Sequence, residues 1–154
     1  CKSQASFREA QMIKLLIDTN VVLDLLAKRE PFYNESLQIF SLADLQKVEL
    51  FISTLSIVNA HYILKDAMKI KDSRSIIGKL KVLVNSYELN DKIIELAIND
   101  YDFKDFEDGI QYYTALESQC DIIITRNLKD FKNSAIPVLS PKEYVTKFIA
   151  DRRS

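Results

Sequence analysis

The chain has 154 residues, 47% of them hydrophobic, with 21 Lys and Arg against 22 Asp and Glu and a net charge of −1. That length and apolar share suit one domain with its own core. The near-neutral charge excludes a protein that coats nucleic acid through a uniformly basic surface, so any nucleic-acid contact must be local or bridged by metal ions. Two cysteines, Cys1 and Cys120, make no disulfide framework, and no run of 18 apolar residues reads as a membrane span. A reducing, cytoplasmic location is the expectation.

Gly is scarce at 2 and Pro at 3, which favours long regular elements and short turns over a loop-rich all-β fold. Residues 1–11 show neither turn logic nor apolar periodicity, and their charges (Lys2, Arg8, Glu9) do not form a secretory signal. Met12-Ile13-Lys14 leads straight into a strand. The reading is a single domain over 12–150, with Met12 as the natural start and 1–11 as a non-core extension.

Lys14 to Ile17 is a buried strand that stops at Asp18-Thr19-Asn20. Val21, Val22, Leu25 and Leu26 then follow helical spacing, with Asn20 free to cap and Asp24 on the solvated face. Leu37, Phe40, Leu42 and Leu45 mark a second amphipathic helix, and Leu50 to Ser53 a second strand. Thr54 or Ser56 caps a long helix to about Lys71, with Ile57, Val58, Tyr62, Ile63 and Met68 as its apolar set. Asp72 or Ser73 caps the next helix, and Ser86 to Leu89 is a weakly signalled strand.

Asn90 or Asp91 opens a helix through Ile98, and Asp105 another through Leu116. Asp121 to Thr125 is a strand, and Pro137-Val138-Leu139 the last one. Ser140-Pro141-Lys142-Glu143 has the Ser cap, the Pro at the first helical position and the acid three residues on that open a C-terminal helix. Strands alternating with helices predict an α/β protein, a three-layer α/β/α arrangement with a mostly parallel sheet of 4–5 strands.

In such sheets ligands bind beyond the carboxyl ends of the strands. Asp18 and Asn20 follow the first strand. Thr125, Arg126, Asn127 and Asp130 follow the strand at 122–124. Asp105, Glu107 and Asp108 open the helix before it. Carboxylates brought together repel one another, and a hard divalent cation with oxygen ligands removes that cost. Each residue also has a plainer use: Asp18 or Asp105 as a helix cap, Asp130 as a turn cap. The lone His61 and the absence of a Cys pair argue against zinc, and neither a glycine-rich phosphate loop nor a nucleophile elbow is present. Six basic residues between Lys65 and Lys81 form a patch that suits RNA backbone, an acidic partner, or simply solvent.

Three stretches together resemble the PIN domain family: Leu15-Leu16-Ile17-Asp18-Thr19-Asn20-Val21-Val22-Leu23-Asp24, Phe106-Glu107-Asp108-Gly109-Ile110-Gln111, and Ile122-Ile123-Ile124-Thr125-Arg126-Asn127-Leu128-Lys129-Asp130-Phe131. Their order and spacing match over about Lys14 to Tyr144. The resemblance implies a Rossmann-like sheet and a ribonuclease dependent on Mg²⁺ or Mn²⁺. It further implies a VapC-like toxin held by a small antitoxin, and a homodimer. It assigns Asp18 and Asp108 as catalytic acids and metal ligands, Asn20 as the polar residue beside them, and Asp105 and Asp130 as further ligands. Thr125, Arg126 and Asn127 become the substrate-orienting group, with Asn127 or Asp130 at the last acidic position. The sequence departs from the family where a Glu is expected, at Asn59 or Ala60, so the acidic site is incomplete. That departure keeps open a catalytically weak or inactive module that binds RNA or protein. A haloacid-dehalogenase-like phosphatase also places Asp at this strand end, but needs a second Asp where Asn20 stands.

Overall fold

The computed structural model describes residues 12–153; the reading of residues 1–11 as an extension falls outside them. The chain runs β1 (Ile13–Ile17), α1 (Thr19–Leu26), α2 (Tyr33–Asp44), β2 (Val48–Ser53), α3 (Thr54–Tyr62), α4 (Ser73–Leu83), β3 (Asn85–Tyr87), α5 (Asp91–Asn99), α6 (Phe106–Glu117), β4 (Ile122–Ile124), β5 (Val138–Leu139) and α7 (Pro141–Arg153). The five strands form one sheet in the order β3-β2-β1-β4-β5, every pair parallel.

β1 is buried on both faces, as a central parallel strand requires. Leu15 and Ile17 join the apolar cluster under α1, α2, α3, α4 and α7, whereas Leu16 faces Tyr112 and Ala115 of α6 on the other side. Period-2 alternation thus supplies both layers from one strand. Ile93 and Ala97 of α5 complete the second face by packing on Ile110 of α6. Each such Leu or Ile side chain contributes roughly 1.5–3 kcal/mol by leaving water.

Several boundaries differ from the sequence reading for local reasons. Ser53, at the end of β2, caps α3 through its side chain, which accepts from Leu55 N–H. Thr54 is instead spent on Leu89 N–H, and Ser56 is buried. The long helix expected to Lys71 stops at Tyr62 and widens into a π-turn over Ile63–Ala67. Val58 and Tyr62, read as apolar-face residues, are exposed, as is Met68. Asp72 stands before α4 in the left-handed region and makes no capping bond. Asn90 caps α5 through Ile93 N–H, and Ser140 and Glu143 form the expected reciprocal pair at α7.

With so few glycines, the helix ends use other residues in the left-handed region. At the end of α6, Gln119 takes φ 59° and Cys120 N–H bonds back to Ala115 C=O, a Schellman-type closure. Gly78 lies inside α4, where an added Cβ would meet nothing within 4 Å. Gly78→Ala is therefore expected to stabilise the protein by about 0.5–1 kcal/mol, read as a higher urea midpoint with an unchanged slope.

The topology positions the site. From β1 the chain moves to β2 and β3 on one side, then crosses back to β4 on the other. The segments leaving β1 and β4 diverge, which opens a crevice beyond their carboxyl ends.

Candidate active site

Asp18 is the first residue beyond β1. Its N–H donates to Ile124 C=O at 3.0 Å, so the β1–β4 pairing carries it to the exit of β4. There Thr125 Oγ1 donates to Asp18 Oδ2 at 2.9 Å, and Thr19 N–H donates to Oδ1 at 2.9 Å. The second bond makes Asp18 itself the cap of α1, one of the two residues, with Asn20, that the sequence offered for that position. Asn20 is held differently: Arg29 Nη2 donates to its backbone carbonyl at 2.9 Å and approaches its Oδ1 at 3.4 Å.

A cleft of about 480 Å³ lies over this strand end, lined by Asp18, Asn20, Asp105, Asp108, Asn127 and Asp130 among others. Every residue expected to bind metal thus faces one space. Asp105 also caps α6, its Oδ1 accepting from Glu107 N–H at 2.8 Å and Asp108 N–H at 3.2 Å. Capping and lining are compatible, because a helix N-terminus favours a carboxylate. Asn127 N–H donates to Thr125 Oγ1 at 3.1 Å. Asp130 falls within the 3₁₀ turn Leu128–Phe131.

Electrostatics mark the same place. Burial raises the pKa of Asp18 and the Glu107 charge adds to the rise, while the Thr125 and Thr19 hydrogen bonds and Arg126 oppose it. Asp108 is raised from 3.8 to about 7, first by desolvation and then by Asp105, Asp18, Asp130 and Glu107. Among the described residues, however, no three His, Cys, Asp or Glu side chains form a closed metal-ligand group. The donors are all oxygens. They suit a hard ion taking one or two carboxylates and completing its shell with water, not a cage.

Two acids whose folded pKa values lie above the unfolded ones each contribute stability to the metal-free fold that is fully present only below about pH 4. That stability is lost as the pH rises toward about 7, because the folded state holds protons the unfolded chain has released. Asp108→Asn removes one such charge. In the metal-free protein at pH 8 it is expected to raise Tm, by about 2–4 °C for each kcal/mol of repulsion relieved. It should also flatten the fall of Tm between pH 4 and 7. An unchanged Tm profile would remove Asp108 from the repelling cluster.

Gln111 was not singled out from the sequence. Gln111 is 3% exposed; its Nε2 donates to Ser56 Oγ at 2.8 Å and approaches Thr19 Oγ1 at 3.4 Å. The two hydroxyls lie 2.7 Å apart, which ties α1, α3 and α6 together behind the cleft. Gln111 Oε1 is buried without a partner. The signal available was spacing, since Gln111 lies three residues from Asp108 and four from Glu107 on one helix. Asn59 stands where the family resemblance calls for an acid, and its Nδ2 donates to Glu107 Oε1 at 3.4 Å. His61 bonds Ser73 Oγ at 3.2 Å.

Asp24 is a correction. Read as solvated, it is 0% exposed. Arg29 Nε donates to Oδ1 at 2.9 Å and Arg126 Nε to Oδ2 at 2.7 Å, with Arg126 Nη2 3.3 Å from Oδ1. Arg126, expected to orient substrate, has its guanidinium on Asp24 and 3.9 Å from the centroid of the Phe32 ring. It ties the β4 exit to α1.

The sequence model of the PIN domain family matches residues 14–129, well over half of the chain. Ribonuclease VapC1 of Aquifex aeolicus (strain VF5) is 29% identical over 138 residues, which cover 88% of this chain and 95% of that protein. A solved toxin–antitoxin complex from Klebsiella pneumoniae superposes with a TM-score of 0.61 at 25% identity, covering 82% of this chain and 97% of its match. VapBC2 from Rickettsia felis, solved with a DNA fragment from their promoter, also gives 0.61, at 15% identity over 83% of this chain and 98% of its own. At that identity the likeness speaks for the fold alone. The sheet order, the strand-end acids and the family match agree: the chain belongs to the PIN domain family.

Proposed function

We propose that this chain is a ribonuclease dependent on Mg²⁺ or Mn²⁺, the toxin half of a toxin–antitoxin pair. The observation that carries this reading is the meeting of Asp18 and Asp108 in one cleft at the exits of β1 and β4, with Asp108 pushed up to about 7 first by burial and then by the acids around it. Partly buried acids that also repel one another are the arrangement a divalent cation relieves. The all-oxygen donor set and the partnerless Gln111 Oε1 fit such an ion and its water shell.

Asp18 and Asp108 would hold the ion, with Asp105 and Asp130 within the same cleft to add charge or carry waters. When bound, the ion supplies an attacking water of lowered pKa and neutralises charge on the phosphodiester. Thr125 holds the Asp18 carboxylate in place, and Arg29 holds Asn20 beside it. The Gln111–Ser56–Thr19 network keeps α6 and α1 from drifting apart. RNA as substrate follows the likeness to the Aquifex aeolicus ribonuclease, and a small antitoxin the likeness to the Klebsiella pneumoniae complex. A homodimer and a cytoplasmic location complete the proposal. Among the described residues no helix is long and apolar enough to cross a membrane.

Cleavage of a labelled single-stranded RNA in Mn²⁺ or Mg²⁺, and its loss in excess EDTA, tests the reading. Cleavage that persists in EDTA overturns metal dependence. A second reading, a binding module without catalysis, rests on the sequence alone, where Asn59 or Ala60 stands in place of an expected acid. Calorimetry separates the two. No heat at millimolar Mn²⁺, with RNA still bound, supports the module. The phosphatase alternative gives way to the family match.

A further inference from the structure

A second cleft of about 440 Å³ adjoins the first and shares Asp105, Asp108 and Asp130 with it. Beyond that common wall it is lined by Asp102 and by Lys104, Lys129 and Lys132. All three side chains are exposed, and among the described residues none is held in an ion pair, although the same cleft is lined by four aspartates. These lysines line only the second cleft. Tyr62 lines only the first, 63% exposed and just ahead of the π-turn.

We infer that the two clefts form one track for single-stranded RNA, with a base stacked on Tyr62 and the backbone phosphates beyond the acidic site held by Lys104, Lys129 and Lys132. A polyanion entering a cleft of carboxylates is repelled. A divalent cation neutralises the charge at one phosphate, and the phosphates on either side need cations of their own. Across both clefts the lining cations are these three lysines. A strand that touches them and Tyr62 must cross Asp105, Asp108 and Asp130, which brings its phosphodiester to the acids. An exposed aromatic ring accepts any base by stacking, so the track selects single strands before sequence. The basic patch between Lys65 and Lys81 contributes no lining residue to either cleft.

This track rests on the nuclease reading for its orientation, and the test keeps the two separable. Binding of a short labelled single-stranded RNA is followed by anisotropy across a salt series, in Ca²⁺, for the full chain. The variant Lys104→Gln/Lys129→Gln/Lys132→Gln is expected to flatten the slope of log K against log salt by about 2, three phosphates at roughly 0.7 each. It should weaken binding at least about 10-fold at low salt, with the calorimetric Mn²⁺ affinity unchanged. Tyr62→Ala should weaken binding roughly 10-fold with the slope intact. An unchanged slope in the triple variant overturns the track, as does an equal loss in Lys79→Gln/Lys81→Gln. Should one lysine variant misfold by circular dichroism, the single Lys129→Gln, losing about 0.7 of slope, decides the same point. RNA binding with the expected slope but no Mn²⁺ heat supports the track and overturns the nuclease.

Discussion

Asp18→Asn is expected to lower RNA cleavage in Mn²⁺ by more than about 100-fold, beyond the 10–100-fold loss typical of residues that only support a metal ligand. The substitution keeps the shape of the side chain. Its remaining oxygen can still accept from Thr19 N–H, and Thr125 Oγ1 can turn from donating to accepting. The cost is one hydroxyl hydrogen without its partner. Against that stands the removal of a buried carboxylate whose charged form burial already disfavours. The variant should therefore fold with an unchanged or higher Tm while the proposed metal site loses the most buried of its candidate ligands. A fluorescent RNA incubated with both proteins reads the ratio of rates directly. Equal cleavage would take Asp18 out of the chemistry.

The second large effect falls on stability. Asp24→Asn is expected to destabilise the fold by about 3 kcal/mol, toward the lower end of what breaking a buried ion pair costs. Asp24 is fully buried and accepts from two guanidiniums, whereas Arg29 and Arg126 keep 32% and 26% of their side chains exposed. Once Asp24 loses its charge, those partners can turn partly to water, which is why the lower figure applies. For a chain of this size the loss corresponds to about 6–12 °C in Tm. Arg126→Lys should reproduce part of it, because an ammonium cannot replace the fork that meets both carboxylate oxygens. A Tm within about 1 °C of wild type for Asp24→Asn would show that the triad adds nothing. Activity should fall as well, since Arg29 holds Asn20 and Arg126 holds the β4 exit.

These two residues lie six apart on one short stretch, yet only one was legible. Asp18 announces itself: a continuous apolar run, Leu15-Leu16-Ile17, ends abruptly in a carboxylate, and a buried parallel strand leaves its exit residue at the sheet's ligand-binding edge. Asp24 sits in a helix whose periodicity reads it as surface, although no residue from Thr19 to Leu26 is exposed. The two arginines that bury it come from five and 102 residues away. No local rule couples a carboxylate to a guanidinium across a parallel sheet.

The same division runs through the site. Periodicity of 2 against 3.6, the terminal Ser-Pro-Lys-Glu box and the ordered acidic motifs were enough for the α/β class, the parallel sheet and the candidates Asp18, Asp105, Asp108 and Asp130. They follow from local sterics and from which faces must leave water, and those properties are written residue by residue. Which acids share a cleft depended on the crossover from β3 back to β4 beside β1. So did the turning of Arg126 onto Asp24 and the lysine-lined cleft beyond Asp108. Those are contacts between segments far apart in the chain, and their energies exist only once the sheet has closed the distance. The sequence alone therefore determined where the candidate site lies, at the exit of the first strand. Only the tertiary structure decided what surrounds Asp18 there, because desolvation and repulsion among carboxylates are properties of the assembled cleft.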